Sequence, residues 1–411
     1  MVSGSSMIDL DKIQNCSACT ACVAVCPKEC ISMIADNQGF CYPSINMDKC
    51  IDCGLCSSIC KKSAQYVDEK PIKGYGVYAL DEKLRYNSSS GGFFCVLAEK
   101  IIEDGGIVVG AAFAENFKSV HHIIVETKED LYLLRGSKYL QSEMGNIFSI
   151  IKKKLLEGTL VLFSGTPCQV AGLQAFLKKD YNNLLCIDFI CHGVPSPFVW
   201  RKYCDEKEKD FNAKIVNVNF RHKKYGWNTF GMSIDSEEKV SYCSKDMDPY
   251  LRIFLKNYTL RPSCYVCKHK GINRKADITM ADLWGIAKIA PEYADGKGTS
   301  LVMVHSKKGM EYLKKISRNL NIFDIDIDLA VSMNRACIMS VEKPKDYNEF
   351  WEDYKNNSIE KLAKKYDKIP LKKKLKVVIK TSPLYKILCG GGTANEYGLW
   401  FGFQVESAIK R

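Results

Sequence analysis

Cys16-Ser17-Ala18-Cys19-Thr20-Ala21-Cys22-Val23-Ala24-Val25-Cys26-Pro27 is a run of four cysteines with two, two and three residues between them. The pattern returns 34 residues on as Cys50-Ile51-Asp52-Cys53-Gly54-Leu55-Cys56-Ser57-Ser58-Ile59-Cys60-Lys61. Three cysteines at this spacing wrap a tight loop around one face of an iron–sulfur cubane. The fourth leads into a short helix and points at the other cubane. The spacing therefore predicts one ligand set of Cys16, Cys19, Cys22 and Cys60, and a second of Cys50, Cys53, Cys56 and Cys26. Pro27 starts the helix after the first run. Lys61 stands in its place in the second, which leaves the ligands intact. Zinc is the competing reading, but zinc favours paired C-x2-C units with four ligands per ion, and two tandem runs of identical spacing fit it poorly. Cys30 and Cys41 lie outside both runs and read as packed thiols.

Two 4Fe–4S clusters in residues 1–70 make a bacterial-type dicluster ferredoxin domain, a one-electron relay that needs a donor on one side and an acceptor on the other. The rest of the composition agrees with metal-bound thiolates. The chain has 411 residues and 20 cysteines, is 46% hydrophobic, and is too long for a disulfide scaffold. It opens MVSGSSMIDLDK, without the apolar stretch of a signal peptide, and has no apolar run long enough to span a membrane. A cytoplasmic location is expected. The net charge is +12, with the positive excess downstream of residue 70. No nucleic-acid motif accompanies it, so no nucleic-acid partner is expected.

Beyond the relay the texture changes. Asn87-Ser88-Ser89-Ser90-Gly91-Gly92 opens a helical pattern from Phe93 to Asp104, followed by an apolar strand at Ile107–Phe113. A Ser/Gly-rich loop at a helix start is an anion cradle, or simply a capping loop. Arg135-Gly136-Ser137-Lys138 can hold a pyrophosphate; the plainer reading is an exposed basic turn. Leu160–Phe163, the turn Ser164-Gly165-Thr166-Pro167-Cys168, a helix from Gln169 to Lys179 and a strand Leu184–Ile190 form a βαβ unit. Its strands should be parallel, with Cys168 and Cys191 past their carboxyl ends, where open α/β sheets place ligands.

Cys264-x2-Cys267 arrives later, before a predicted strand Asp277–Leu283. Together with Cys168 and Cys191 it supplies four thiolates, the ligand set of a third 4Fe–4S cluster. The alternative is threefold: Cys168 as a nucleophile, Cys191 as core, and C-x2-C as a redox dithiol or half a zinc site. Cysteines 95, 186, 204, 243, 337 and 389 read as packing. His192 is either a proton donor or a hydrogen bonder behind Cys191.

The segments SSSGGFF, GAAF, RGSKY, VLFSGTPCQVAGL, DFICHGVPSP, CYVC and RKADITMADLWGI, in this order, resemble the family of coenzyme F420 hydrogenase/dehydrogenase beta subunits, F420 being a deazaflavin. The resemblance runs from about residue 10 to about residue 340. It implies FAD, bound near Ser88, Ser89, Ser90, Gly91, Gly92, Arg135, Lys138 and Thr166, and an extra cluster at Cys168, Cys191, Cys264 and Cys267. The flavin of the family exchanges a hydride with F420 or another small substrate and passes single electrons to the clusters. A redox partner, either a ferredoxin or an enzyme subunit, is implied as well. Leu283 stands where the family has an aromatic residue before Trp-Gly, which puts a stacking role there in doubt.

The expected fold class is α+β, a small dicluster ferredoxin domain (1–70) followed by a larger mixed α/β flavin-binding domain (71–340). Residues 341–411 are expected to form a basic C-terminal tail region, either docking to a membrane surface or acidic partner or packing on its own domain. Two functions compete: a flavin-dependent oxidoreductase with its own substrate, and an electron-transfer adaptor that feeds a partner enzyme.

Overall fold

The computed structural model describes residues 15–63, 71 and 73–370. In the N-terminal domain, helices Ala21–Val25 and Leu55–Ser63 flank an antiparallel hairpin of β1 (Ile31–Ala35) and β2 (Cys41–Ile45). The sequence repeat is also a backbone repeat. Ala18 and Thr20 have φ of 54° and 62°, and their counterparts Asp52 and Gly54 have 49° and 68°. Side chains other than glycine rarely adopt these left-handed values. Both cysteine loops adopt them at the same two places, which curls each run around a common centre.

The remaining strands, in chain order, are β3 (Lys73–Ala79), β4 (Ile107–Phe113), β5 (Val120–Val125), β6 (Ser142–Glu143), β7 (Val161–Ser164), β8 (Leu184–Phe189), β9 (Ile215–His222), β10 (Gly231–Ser236), β11 (Val240–Ser244), β12 (Ile278–Asp282), β13 (Ser300–Val304) and β14 (Leu320–Asp324). Nine of them form one mixed sheet in the order β14-β3-β13-β12-β8-β7-β4-β5-β6. Its centre is parallel: β12 with β8, β8 with β7, and β7 with β4. These central strands carry apolar runs because both faces are covered. Val108 of β4 points into a core with Phe93, Leu97 and Ile101 of helix Phe93–Glu103, whereas Val109 points into a second core with Phe148, Ile151 and Leu173 from helices Ile147–Leu156 and Pro167–Leu177. The expected βαβ unit is present, with β7 and β8 parallel and Pro167 at the first turn of the connecting helix.

A third core surrounds the three-stranded sheet β11-β10-β9, helix Pro197–Phe211 and helix Pro249–Leu255. Phe40 of the N-terminal domain is buried in it, so the two domains share a core.

The division expected at residue 340 does not coincide with a break in packing. Helices Tyr347–Tyr354 and Ile359–Tyr366 bury Tyr347, Phe350, Trp351, Ile359, Leu362 and Ala363 in this third core. Arg252 clamps the end of the second helix through its Nε, 3.0 Å from Asp367. Each helix carries an apolar stripe at helical spacing, and the lysines of the second keep to its outer face. Residues 371–411, which hold Cys389 and the lysine and glycine clusters, lie outside the described residues. No helix of the described residues is long and apolar enough to cross a membrane.

Phe350 is fully buried, whereas Lys345, five residues earlier, is exposed. Phe350→Ala should cost about 3–5 kcal/mol of stability in a denaturant titration, and Lys345→Ala should change it by less than about 0.5 kcal/mol. Equal small effects would contradict the inclusion of 341–370 in the core.

Candidate redox site

The second-domain cysteines come from four separate places that the sheet brings together. Cys168 opens helix Pro167–Leu177 just past β7, and Cys191 follows the end of the neighbouring parallel strand β8. Cys264 lies in the one-turn helix Pro262–Val266 and Cys267 directly after it. All four line one cavity of about 230 Å³, and Cys16, Cys19, Cys22 and Cys60 line the same cavity. Cys26, Cys50, Cys53 and Cys56 line a separate cavity of about 20 Å³. Cys60 thus stands with the first run and Cys26 with the second. Cys30, expected only as a packed thiol, is buried but lines this smaller cavity as well, its Sγ 3.4 Å from that of Cys26.

Among the described residues, no group of three or more His, Cys, Asp or Glu side chains converges on a point suited to a single metal ion. The cysteines surround cavities instead, and four thiolates around an enclosed space are the donor set of a cubane. Several of these thiols are drawn away from water, whereas Cys53 and Cys60 are exposed. Burial pushes Cys19 and Cys264 up to about 12, and pushes Cys22 and Cys191 up strongly as well, with neighbouring thiols adding to each shift. Such groups ionise only with a cation to hold the thiolates, so metal loading and deprotonation are one event. Backbone amides already aim at three sulfurs: Ala18 N–H at Cys16 (3.3 Å), Val194 N–H at Cys264 (3.5 Å) and His269 N–H at Cys267 (3.4 Å).

His192 faces the cavity, with Nε2 2.8 Å from Asn257 Oδ1 and its ring edge against Phe254. Thr166 caps the helix that carries Cys168, in a reciprocal box with Gln169, and its Oγ1 lies 3.1 Å from Cys168 Sγ. Of the residues expected at the flavin, it is the one that lines the cysteine cavity.

The other expected flavin residues meet each other. Ser137 donates from its N–H (2.8 Å) and its hydroxyl (3.0 Å) to Ser89 Oγ, which joins the Ser88–Gly92 loop to the Arg135–Lys138 turn. Ser88 donates to Leu84 O (2.8 Å) and Ser90 to Thr299 O (2.8 Å), while Gly91 N–H goes to Ser300 Oγ (3.0 Å). Gly91 packs on β3 and β13 so closely that a Cβ would fall 2.3 Å from Val77 O. Gly92 takes φ of 90° at the helix start. The loop is therefore fixed by its own protein. Nearby, Arg135 Nε is buried without a hydrogen-bond partner, and Lys138 Nζ reaches only the carbonyls of Arg135 (3.1 Å) and Gly136 (3.3 Å). Burial lowers Lys138 to about 7, so an anion beside it would hold its ammonium charged, and together with the unpartnered Arg135 Nε these residues fit the pyrophosphate of a dinucleotide.

Several residues around this loop carried no sequence signal. Lys223 donates to Arg85 O, Ser90 O and Lys297 O at 2.7 to 2.9 Å. Arg221 forms a bidentate pair with Asp282 (2.7 and 3.0 Å) and lies over the Phe230 ring. Leu283 is fully buried, and the stacked pair is Trp284 with Trp227, 4.7 Å apart.

Gly172, on the helix behind Cys168, is a point of close contact between the domains. A Cβ there would lie 2.8 Å from Cys19 Cβ and 3.0 Å from its Sγ. Gly172→Val should push the first loop off the cavity and lower bound iron by about four atoms per chain, one cubane, as read by colorimetric iron analysis. Unchanged iron would show that Cys19 holds no cluster at that place.

Residues 43–66 match the model of the 4Fe-4S binding domain, and residues 158–327 match that of the C terminus of the coenzyme F420 hydrogenase/dehydrogenase beta subunit. An uncharacterized protein of Methanocaldococcus jannaschii is 24% identical over 349 residues, 76% of this chain and 90% of that protein. A subunit of the F(420)H(2) dehydrogenase of Methanosarcina mazei is 23% identical over 325 residues, 75% of this chain and 84% of that protein. A chain of the F420-reducing [NiFe] hydrogenase complex from Methanosarcina barkeri shares 16% identity at a TM-score of 0.45, covering 66% of this chain and 89% of that one. The segment that carries Cys168, Cys191, Cys264 and Cys267 is thus similar to the C terminus of the coenzyme F420 hydrogenase/dehydrogenase beta subunits, and in this chain it follows a segment similar to a 4Fe–4S binding domain.

Proposed function

We propose that this chain is an iron–sulfur flavoprotein oxidoreductase that moves electrons between three 4Fe–4S clusters and an FAD acting on coenzyme F420 or another small substrate. The observation that carries the reading is the shared cavity, in which the first ferredoxin quartet and the second-domain quartet face each other. The quartets of Cys26, Cys50, Cys53 and Cys56, of Cys16, Cys19, Cys22 and Cys60, and of Cys168, Cys191, Cys264 and Cys267 would each hold one cluster, and bound clusters would supply one-electron transfer along that order. Cys26 and Cys60 each belong to one run by sequence and to the other by position, which ties the first two stations together.

Bound FAD would supply the exchange between a two-electron hydride and single electrons. The chain's own part is positional. The Ser89–Ser137 link holds the cradle loop against the Arg135–Lys138 turn. Lys138 and Arg135 offer charge to a pyrophosphate. Thr166 Oγ1 lies 3.1 Å from Cys168 Sγ, and burial lowers His122 to about 4, so a neutral ring bonds Ser164 O through Nε2 (3.1 Å). Arg221 and Asp282 neutralise each other behind the loop, so a ligand meets a fixed wall rather than a free charge. A partner protein, a ferredoxin or an enzyme subunit, takes or supplies the electrons at the exposed edge near Cys53.

The second reading, an electron-transfer adaptor without its own substrate, is favoured by one observation: the hydroxyls of Ser88 and Ser90 and the amide of Gly91 already bond to protein.

Anaerobic purification with iron, sulfide and flavin analysis of one sample separates the two. About twelve irons and one FAD per chain, three cubanes of four, is the expected result. Twelve irons without flavin would leave the adaptor, and eight irons without flavin would remove the second-domain cluster as well.

A further inference from the structure

Arg261 is completely buried, with 0% of its surface exposed. Its backbone belongs to the second domain: its N–H donates to Val194 O (3.0 Å) and its carbonyl accepts from Cys264 N–H (2.9 Å). Its side chain crosses to the first domain, where Nε donates to Cys16 O (2.6 Å) and Nη2 to Cys41 O (2.9 Å). Nη1 donates to Gln141 Oε1 (3.0 Å), and the guanidinium lies 4.4 Å from the centre of the Tyr42 ring. It lines the cavity shared by the two cysteine quartets.

Every acceptor in this set is neutral. None of the ion pairs among the described residues includes Arg261. Asp36 and Glu143 act on the same region from further away, and Asp36 Oδ1 is taken by the amides of Gln38 and Phe40 (2.9 Å each). A buried guanidinium that meets only dipoles is costly unless an anion compensates it. A cubane held by four thiolates is anionic in each of its working oxidation states, and two such groups would flank this side chain.

On the three-cluster reading above, we propose that Arg261 is the shared counter-charge of the two cubanes in the cavity and raises the reduction potential of both. Reduction adds one electron to a cubane and makes it one unit more negative, with no bond made or broken. A fixed cation in a poorly polarisable interior stabilises the more negative state. The same cation screens the two anionic centres from each other, so that they can be charged side by side.

The test is a potentiometric titration, followed by electron paramagnetic resonance, of the intact protein and of Arg261→Gln, Arg261→Lys and Gln141→Glu, with iron counted in each. Arg261→Gln removes the charge, Arg261→Lys keeps it while losing the forked hydrogen bonds, and Gln141→Glu neutralises it with the arginine in place. Arg261→Gln and Gln141→Glu should lower the potentials of the cavity clusters by a tenfold or larger change in the reduction equilibrium, about 59 mV for one electron. The cluster at Cys26, Cys50, Cys53 and Cys56 should move less, and Arg261→Lys should stay near the unmodified protein. Unchanged potentials in Gln141→Glu, or equal shifts in the Gln and Lys variants, would overturn the proposal. If the arginine variants fail to assemble clusters, Gln141→Glu decides alone. An iron count near eight in the unmodified protein would reject the three-cluster reading itself, and the potential of the remaining cavity cluster would still judge Arg261.

Discussion

Eight thiols gathered at one seam between the domains are the constraint around which the rest of the molecule is arranged. Four come from the ferredoxin-like loops and four from the carboxyl-end side of a parallel sheet, and they line one cavity. Bringing them together requires that two domains meet without side-chain bulk between them. Gly172 provides the close approach on one side, and Cys19 sits directly against it. Phe40 anchors the hairpin into the core of the second domain, and Arg261 stitches Cys16 and Cys41 to the loops of Cys191 and Cys264. The seam is thus held by packing and by hydrogen bonds to neutral acceptors, and the Arg261 guanidinium lines the same cavity as the thiols.

The sheet explains why those four cysteines converge. β7 and β8 are adjacent and parallel, so the residues after them emerge on the same side. β12 continues the parallel pairing on β8, and the C-x2-C turn precedes it. The flavin candidates occupy the neighbouring region, where the serine loop after β3 meets the basic turn before β6.

Much of this was legible in the residues, for physical reasons. Cysteine spacing reads directly as ligand geometry, because three thiolates on one loop must follow a fixed curl; the repeated positive φ at Ala18 and Thr20, and at Asp52 and Gly54, is that curl. The βαβ unit read correctly because its apolar runs were bounded by Thr166-Pro167 and a glycine-rich stop. The parts that escaped reading have no local signature. Arg261 looks like any arginine beside a proline, and its role depends on contacts more than 100 residues away in sequence, with Gln141 and with Cys16. In helices Tyr347–Tyr354 and Ile359–Tyr366 the apolar positions are interrupted by acidic residues in the first and by lysines in the second, and each pattern is only eight residues long. Cys30 reads as a spare thiol until its approach to Cys26 is seen. Lys223 and Arg221, which pin the serine loop, follow the same rule, since their partners lie on distant elements.

The central claim is that two cubanes lie side by side in the seam and a third sits apart in the smaller cavity. Anomalous diffraction at the iron edge, from crystals grown anaerobically, tests it most directly. The account predicts three iron-rich peaks, one within the quartet of Cys168, Cys191, Cys264 and Cys267, one within Cys16, Cys19, Cys22 and Cys60, and one within Cys26, Cys50, Cys53 and Cys56. Peaks confined to the N-terminal domain, with no iron at the second-domain quartet, would contradict it.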